Sequence, residues 1–429
     1  MLTVAVLGLG ARGGSIYSTF MDSRKDLYKV VAICDINSYK VNLFKEKFLI
    51  PDNMCFTSDE EFLSKGKLAD CLLICTQDDD HYRHAKKAIE LGYNILLEKP
   101  ITPNADECIE LSNLARDKGV KILVCHVLRY TCFYQQIKEV IDSGVLGQII
   151  SINQTENVAF WHQAHSFVRG SWRNKQESSP MILAKCCHDL DIMHWLVGSC
   201  CKTLSSVGKL SFFRKDKAPE GHAKICLECK KPKEECPYDA EKIYLKNFLL
   251  QSEEERKNNW LVNVLTNFNP TKENLIESLK NGQYGRCVFE CDNDVVDYQN
   301  VSIEYENGVM GNLTMTAFSE NCFRETRVRG TLGEIISDDL SKIIKVNIYG
   351  KDSYEIDINK IATDLSNHGG GDNKMMLELY DYLTDDNYYS KSLTTIEDSI
   401  ESHLTALLAE KARISGKTYN LKKHFKIKD

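Results

Sequence analysis

Lys99 is the first residue whose setting asks for a chemical explanation. It stands in "NILLEKPIT", where four residues of an apolar strand run into Glu98, Lys99 and Pro100. Taking an ammonium group out of water costs several kcal/mol unless it finds partners or loses its proton. The carboxyl edge of a parallel sheet is also where open α/β folds bind ligands. A partly desolvated lysine there could relay a proton in alcohol oxidation, in which hydride leaves carbon while a proton leaves oxygen. A solvated strand-end charge is the commoner fate of a lysine, so its surroundings must decide.

The second signal is "VLGLGARGG", with Gly8, Gly10 and Gly13 in G-x-G-x-x-G spacing around Ala11 and Arg12. It follows a predicted strand and opens a predicted helix, the context that makes the pattern credible. Gly8 allows the tight turn, Gly10 lets a pyrophosphate approach the backbone, and Gly13 lets helix and strand pack closely. The helix N-terminus supplies donors for phosphate. Asp35 ends the next strand, where a carboxylate accepts bonds from ribose hydroxyls and repels a 2′-phosphate. The expectation is therefore NAD rather than NADP, with Arg12 and Lys40 the two cations that weigh the other way.

The elements that must hold these residues are legible in outline. Residues 1–128 alternate strand and helix: "LTVAVLG", "KVVAICD", "DCLLICT", "YNILLEK" and "VKILVCHVL" are apolar runs separated by helical segments. Such a rhythm predicts a doubly wound parallel sheet, a dinucleotide-binding Rossmann domain. Residues 129–429 read as a C-terminal α/β domain with a largely antiparallel open sheet. "GQIISINQTEN" is a long alternating strand, and "VSIEYENGVMGNLTMTAF" is a hairpin turning at Asn307-Gly308. Residues 213–290 are charged and Cys-bearing and read as an insertion, and a last helix over about 394–416 stops at Gly416.

The glycine fingerprint, "TQDDDHYRHAKKAIELGYNILLEKP" and a later His-bearing helix together resemble the Gfo/Idh/MocA family, the glucose–fructose oxidoreductase and inositol dehydrogenase relatives. The resemblance runs over nearly the whole chain and is most specific in the first 130 residues. It implies that Glu98-Lys99-Pro100 is the family's signature tripeptide, with Lys99 at the catalytic centre and Pro100 after a cis bond. It implies also that Thr76, Gln77 and His81 belong to the loop that lines the cofactor. The cofactor-binding set is thus Gly8, Gly10, Ala11, Arg12, Gly13, Asp35, Thr76, Gln77, His81, Glu98, Lys99 and Pro100.

"SSPMILAKCCHDLDIMHWLVG" predicts a single helix, capped by Ser178 or Ser179 with Pro180 in its first turn. Leu183, Cys186, Leu190, Met193 and Val197 share one side, and Lys185, His188, Asp191 and Trp195 the other. By the resemblance, His188 bonds the reacting hydroxyl. The family's partner carboxylate, four residues earlier, is replaced by Ala184, so Lys185 or Asp191 must compensate or the chemistry differs. Upstream, "FWHQAHSFVRGSWRN" packs Trp161, His162, His165, Arg169, Trp172 and Arg173 together, rings for sugar faces and donors for hydroxyls or an acid group. His368 and Asp372 flank three glycines in a stretch that resembles a substrate-side motif of some family members, and Arg129 and Tyr130 follow the sixth strand's edge.

Cys226-x2-Cys229-x6-Cys236 in the insertion suits a structural zinc, with His222, Cys287 or Cys291 as the fourth ligand. The other cysteines lie partly in apolar runs, where a reduced thiol behaves as a small hydrophobe. The chain has 17 cysteines and no leader before its first strand, which predicts a reduced, cytoplasmic protein. A net charge of −7 without a basic run argues against nucleic acid, and no apolar run reaches membrane-spanning length. The expected protein is a homo-oligomeric oxidoreductase acting with NAD on a small sugar, cyclitol or glycoside. The alternatives are an enzyme that cleaves glycosides by transient oxidation and recycles NAD, and a non-catalytic dinucleotide or sugar sensor.

Overall fold

A computed structural model describes residues 1–427. The first sheet has six parallel strands in the order β3-β2-β1-β4-β5-β6. These are β1 Leu2–Leu7, β2 Tyr28–Cys34, β3 Cys55–Phe56, β4 Cys71–Ile74, β5 Asn94–Leu97 and β6 Ile122–Val124. Alternate side chains enter opposite cores: Leu72 and Ile74 of β4 lie in one, Cys71 and Leu73 in the other. Burial on both faces is why these strands read as unbroken apolar runs. The strand order reverses between β1 and β4, which opens the crevice where such sheets bind nucleotides.

The second sheet includes β8 Cys201–Lys209, β12 Gly333–Asp338, β13 Ile343–Ile348, β14 Tyr354–Asp357 and β15 Tyr419–Asn420, and its nine strands run in the order β14-β13-β12-β11-β7-β10-β9-β8-β15. Its centre is β7 (Ile149–Ala159), flanked by β10 (Met310–Ser319) and β11 (Phe323–Gly330). β7 pairs parallel with β10 and antiparallel with β11, and the remaining pairs are antiparallel. The Asn307-Gly308 turn joins β9 (Tyr298–Tyr305) to β10, with Gly308 at φ +85°. One face of this sheet is buried and the other open, as the strict alternation along β9 and β10 shows.

The two halves are interlocked. Met375, Met376 and Leu379, on the helix Gly371–Thr384, pack into one core of the first sheet. Ile396 opens the helix Ile396–Ser415 and enters the other, and that helix ends at Gly416 with φ +67°. The insertion has a core of its own, in which Phe213, Tyr244, Phe248, Leu275 and Phe289 pack against Ala164, Val168 and Ala317.

The predicted single helix after Ser178 is two pieces, Met181–Ala184 and Cys187–Val197, broken at Lys185 and Cys186. Ser178 and Ser179 do not cap it; both hydroxyls donate to the Asp78 carboxylate, at 3.2 and 2.7 Å. Both sides of the second piece are buried rather than one, because Asp191 meets Arg129 instead of solvent.

Candidate active site

The fingerprint turn is built as its glycines require. Gly8 has φ +98°, and a Cβ there would lie 2.4 Å from the Cys75 carbonyl oxygen. A Cβ on Gly13 would lie 2.2 Å from the Gly8 carbonyl oxygen, so the helix that follows sits hard against the turn. Gly10 meets no atom within 4 Å, which leaves the backbone open on the side a pyrophosphate would approach. The Asp35 carboxylate accepts from the Leu9 N–H (2.7 Å) and the Asn37 N–H (2.8 Å), fixing it beside the turn. Lys40 is 3.8 Å from the same carboxylate, so its charge is already answered. This turn and carboxylate fit a dinucleotide.

Arg12 has a different setting from the one its position suggested. Its guanidinium lies between Glu98 (2.7 Å) and Asp372 (2.5 Å), and Asp372 also receives His368 Nδ1 at 2.8 Å. The Tyr17 hydroxyl donates to Glu98 at 2.6 Å. Burial would raise both carboxyls, but Arg12 holds Glu98 below the usual glutamate value and Asp372 down to about 2. Arg12, Glu98, His368 and Asp372, expected to touch ligands, thus bond one another and tie the fingerprint turn and the end of β5 to the helix Gly371–Thr384.

His81 is buried. Its Nδ1 bonds the Pro100 carbonyl (2.6 Å) and its Nε2 the Thr76 carbonyl (3.2 Å), so it clamps the Thr76-Gln77 loop to the Lys99–Pro100 peptide, which is cis. Asp78, in the same loop, accepts from Trp172 Nε1 at 3.2 Å as well as from the two serines.

Lys99 ends β5 as expected. Its ammonium donates to the carbonyl of Ala184 at 2.8 Å. That acceptor is released where the helix breaks at Lys185. The break therefore supplies Lys99 with an oxygen from the other half of the chain, uncharged where a side-chain carboxylate would carry charge. His188 is buried, and after burial the Lys99 charge is the largest influence on it; together they push its imidazole well below the ordinary histidine range. His188 is therefore uncharged at neutral pH, and its Nδ1 has no hydrogen-bond partner among the described residues.

Two residues that the sequence reading did not single out stand behind His188. The His126 ring meets His188 edge-on at 5.7 Å and His403 at 5.3 Å. His403 accepts from the Ile101 N–H (2.9 Å) and contacts the Ser399 carbonyl through Nδ1 (2.8 Å), which fixes its proton on Nδ1. Burial pushes His126 down to about 4 and His403 to about 3. His126 follows β6 at the sheet's carboxyl edge, as Lys99 follows β5, and that shared position was the available signal.

Lys185 lies beside a carboxylate, from β7 rather than from its own helix. Its ammonium is 3.2 Å from Glu156, which also receives Arg324 at 2.6 Å; Arg324 in turn donates to Asp189 at 2.8 Å. Glu156 and Arg324 face each other in the β7–β11 register. The Arg324 charge acts on both His162 and His188, and helps keep both imidazoles uncharged. His162 stacks on Trp161 (5.6 Å) and meets Trp260 of the insertion edge-on (5.6 Å). Trp161 and His162 thus pack against the insertion, and Lys185 against Glu156.

The other substrate candidates are engaged elsewhere. Arg129 and Asp191 form a buried two-point ion pair (2.7 and 2.6 Å). The Tyr130 hydroxyl meets Thr394. His165 stacks on Tyr284 and bonds the Tyr244 hydroxyl, Arg169 donates to the Arg286 and Tyr238 carbonyls, and Arg173 pairs with Asp292. His165, Arg169 and Arg173 therefore anchor the insertion and the loop after it. The three predicted zinc cysteines line one cavity of the insertion but their sulfurs are not all within 4.8 Å of one another; among the described residues, the only group of three donors that close is His194, Cys200 and Glu401. No described helix is long and apolar enough to cross a membrane.

A Rossmann sheet with a glycine fingerprint turn, a carboxylate after β2 and a lysine at its carboxyl edge fits a dinucleotide-dependent oxidoreductase. Residues 2–126 match the profile "Oxidoreductase family, NAD-binding Rossmann fold", and residues 138–421 match "Oxidoreductase family, C-terminal alpha/beta domain". The chain belongs to the Gfo/Idh/MocA family. It is 20% identical to the putative oxidoreductase YteT of Bacillus subtilis over 401 residues, 89% of each chain. It is 26% identical to the 2,7-anhydro-N-acetylneuraminate hydratase of Escherichia coli over 208 residues, 48% of this chain and 53% of that one. Among solved structures, the WlbA dehydrogenase of Chromobacterium violaceum, in complex with NADH and UDP-GlcNAcA, superposes with a TM-score of 0.66 at 13% identity, covering 98% of this chain and 95% of that one.

Proposed function

We propose that the protein transfers hydride between nicotinamide and a hydroxyl-bearing carbon of a sugar, cyclitol or glycoside. The observation that carries this is the bond from the Lys99 ammonium to the Ala184 carbonyl, four residues before His188, whose imidazole feels the Lys99 charge. NAD, when bound, supplies the hydride acceptor. His188, uncharged and with a free Nδ1, is fitted to accept a bond from the substrate hydroxyl. Lys99, as the ammonium held by the Ala184 carbonyl, is fitted to steady the charge developing on the oxygen while uncharged His188 takes its proton; positioned acid–base groups of this kind contribute roughly 10²–10⁴-fold. The Trp161 and His162 rings would take the apolar face of the substrate, and Lys185 and Arg324 its oxygens. Sugar-related relatives support the substrate class.

A second reading rests on Ala184. With a backbone carbonyl where the family places a carboxylate, and with the Lys185–Glu156–Arg324 cluster alongside, the site also suits transient oxidation, elimination of the aglycone, addition of water and re-reduction, which leaves NAD unchanged. One screen separates the two. Sugars and their glycosides are incubated with NAD while absorbance at 340 nm and glycoside cleavage are followed together. Net NADH supports dehydrogenation, and cleavage without net NADH supports the recycling reaction. Neither signal across the sugar classes would reject both and favour a sensor. We also propose that copies pair through the open face of the nine-stranded sheet; a monomer by light scattering would reject that.

A further inference from the structure

We propose that Cys226, Cys229, Cys236 and Cys287 hold a structural zinc ion as four thiolates, with Arg169 as its buried counter-charge. All four cysteines line one small cavity of about 40 Å³ in the insertion. Two tight turns, Cys226–Glu228 and Lys233–Glu235, present Cys226, Cys229 and Cys236. The fourth comes from 51 residues past Cys236 in sequence. The bridge between Ile225 and Arg286, with the Cys287 N–H on the Lys224 carbonyl at 2.8 Å, sets Cys287 beside Cys226.

The choice of the fourth ligand follows from what its rivals already do. His222, in the same cavity wall, has both ring nitrogens engaged, on the Pro219 carbonyl (3.0 Å) and on Glu290 (2.8 Å). Cys291 directs its thiol to the Cys287 carbonyl and is not part of the wall. Cys287 is the donor that remains.

Arg169 is the independent observation. It is 0% exposed, yet no carboxylate pairs with it among the described residues. Its bonds go to two carbonyls and, through Nη2, to Cys226 Sγ at 3.5 Å; Nη1 has no partner. A guanidinium is always charged, and a buried charge without an opposite charge costs several kcal/mol. Four neutral thiols, or two disulfides, would leave it so. When four thiols release four protons to solvent and bind Zn²⁺, four Zn–S bonds form, nothing is oxidised or reduced, and the centre carries two negative charges for Arg169 to answer. No three of these donor atoms lie within 4.8 Å of one another here. Ligation at about 2.3 Å therefore turns the thiols into the cavity they line. The ion would tie the turns over 226–236 to the end of the insertion at Cys287, and Arg169 would link that centre to the segment that carries His162 and Trp161.

The test uses the full chain purified from zinc-supplemented culture. Elemental analysis should find about one zinc per chain, and mercurial titration with a zinc indicator should release it as about four thiols react. Cys287→Ser should lower the zinc at least tenfold, while Cys291→Ser leaves it unchanged. A Cys287→Ser variant that fails to fold leaves the measurement on the parent decisive. A zinc-free parent whose cysteines all titrate as free thiols overturns the proposal, as does iron with sulfide in place of zinc, or retention of zinc in folded Cys287→Ser.

Discussion

Arg12→Met removes the cation that lies between Glu98 and Asp372 while keeping an unbranched, comparably long side chain. Both carboxylates are nearly inaccessible, with side-chain exposures of 8% and 1%. Breaking such a buried pair from one side costs about 3–5 kcal/mol, because the remaining charges stay buried without a partner. With an unfolding entropy of roughly 2.1 cal/mol/K per residue, a chain of this length loses about 1 °C of Tm per kcal/mol, so the drop is ~3–6 °C. The pH dependence carries the signature. In the parent, Asp372 is depressed to about 2, so its contribution is present above the unfolded value near 3.9 and is lost as pH falls toward 2. In the variant both carboxyls rise above their unfolded values, so the variant's deficit is largest at neutral pH and shrinks as pH falls toward 4. Scanning calorimetry of both proteins at pH 7.5 and 5 reads this directly. An unchanged Tm accompanied by weaker NAD binding would refute the reasoning and return Arg12 to the role of a phosphate-binding hand.

The histidine row predicts acid lability. His126 and His403 titrate near 4 and 3 in the folded chain and near 6.5 when unfolded, so stability should fall by about 1.4 kcal/mol per histidine per pH unit below ~6.5, levelling for His126 near 4. Urea titrations of the parent and His126→Phe across that range should show a shallower slope in the variant; equal slopes contradict it. Gly13→Ala drives a methyl to 2.2 Å from the Gly8 carbonyl and should weaken NAD binding at least tenfold by calorimetric titration, where an unchanged Kd would show that the turn is not the phosphate site. Asp35→Ala should weaken NAD more than NADP, and tighter NADP binding by the parent would reverse the cofactor assignment.

What could be read from sequence was local. The phosphate turn, Asp35 and Lys99 follow from glycine spacing and strand ends, and the Asn307-Gly308 hairpin from its turn dipeptide. The break at Lys185 was hidden because "MILAKCCHDLDIM" has helical spacing throughout; only Lys99, 85 positions earlier, gives the freed Ala184 carbonyl its partner. Glu156 and Arg324 gain their meaning from the β7–β11 register, although their core-facing parity with Gln154 and Thr326 was a signal in the strand pattern. Arg129 and Asp191 each resembled a ligand-binding residue because a buried ion pair is a three-dimensional fact. The aromatic stretch at 160–173 looked like a sugar platform, yet Trp161, His162 and His165 all meet Trp260 of the insertion, and Arg169 donates to its carbonyls.

The central claim is that Lys99 serves the reaction and not merely the strand end. The direct measurement is single-turnover appearance or decay of the 340 nm nicotinamide band, with the substrate found by the screen, in the parent and in Lys99→Ala. A loss of about 10²–10⁴-fold in that rate, with NAD affinity within about twofold, is the predicted result. A Lys99→Ala protein that turns over at the parent rate would show that the ammonium is only a strand-end charge.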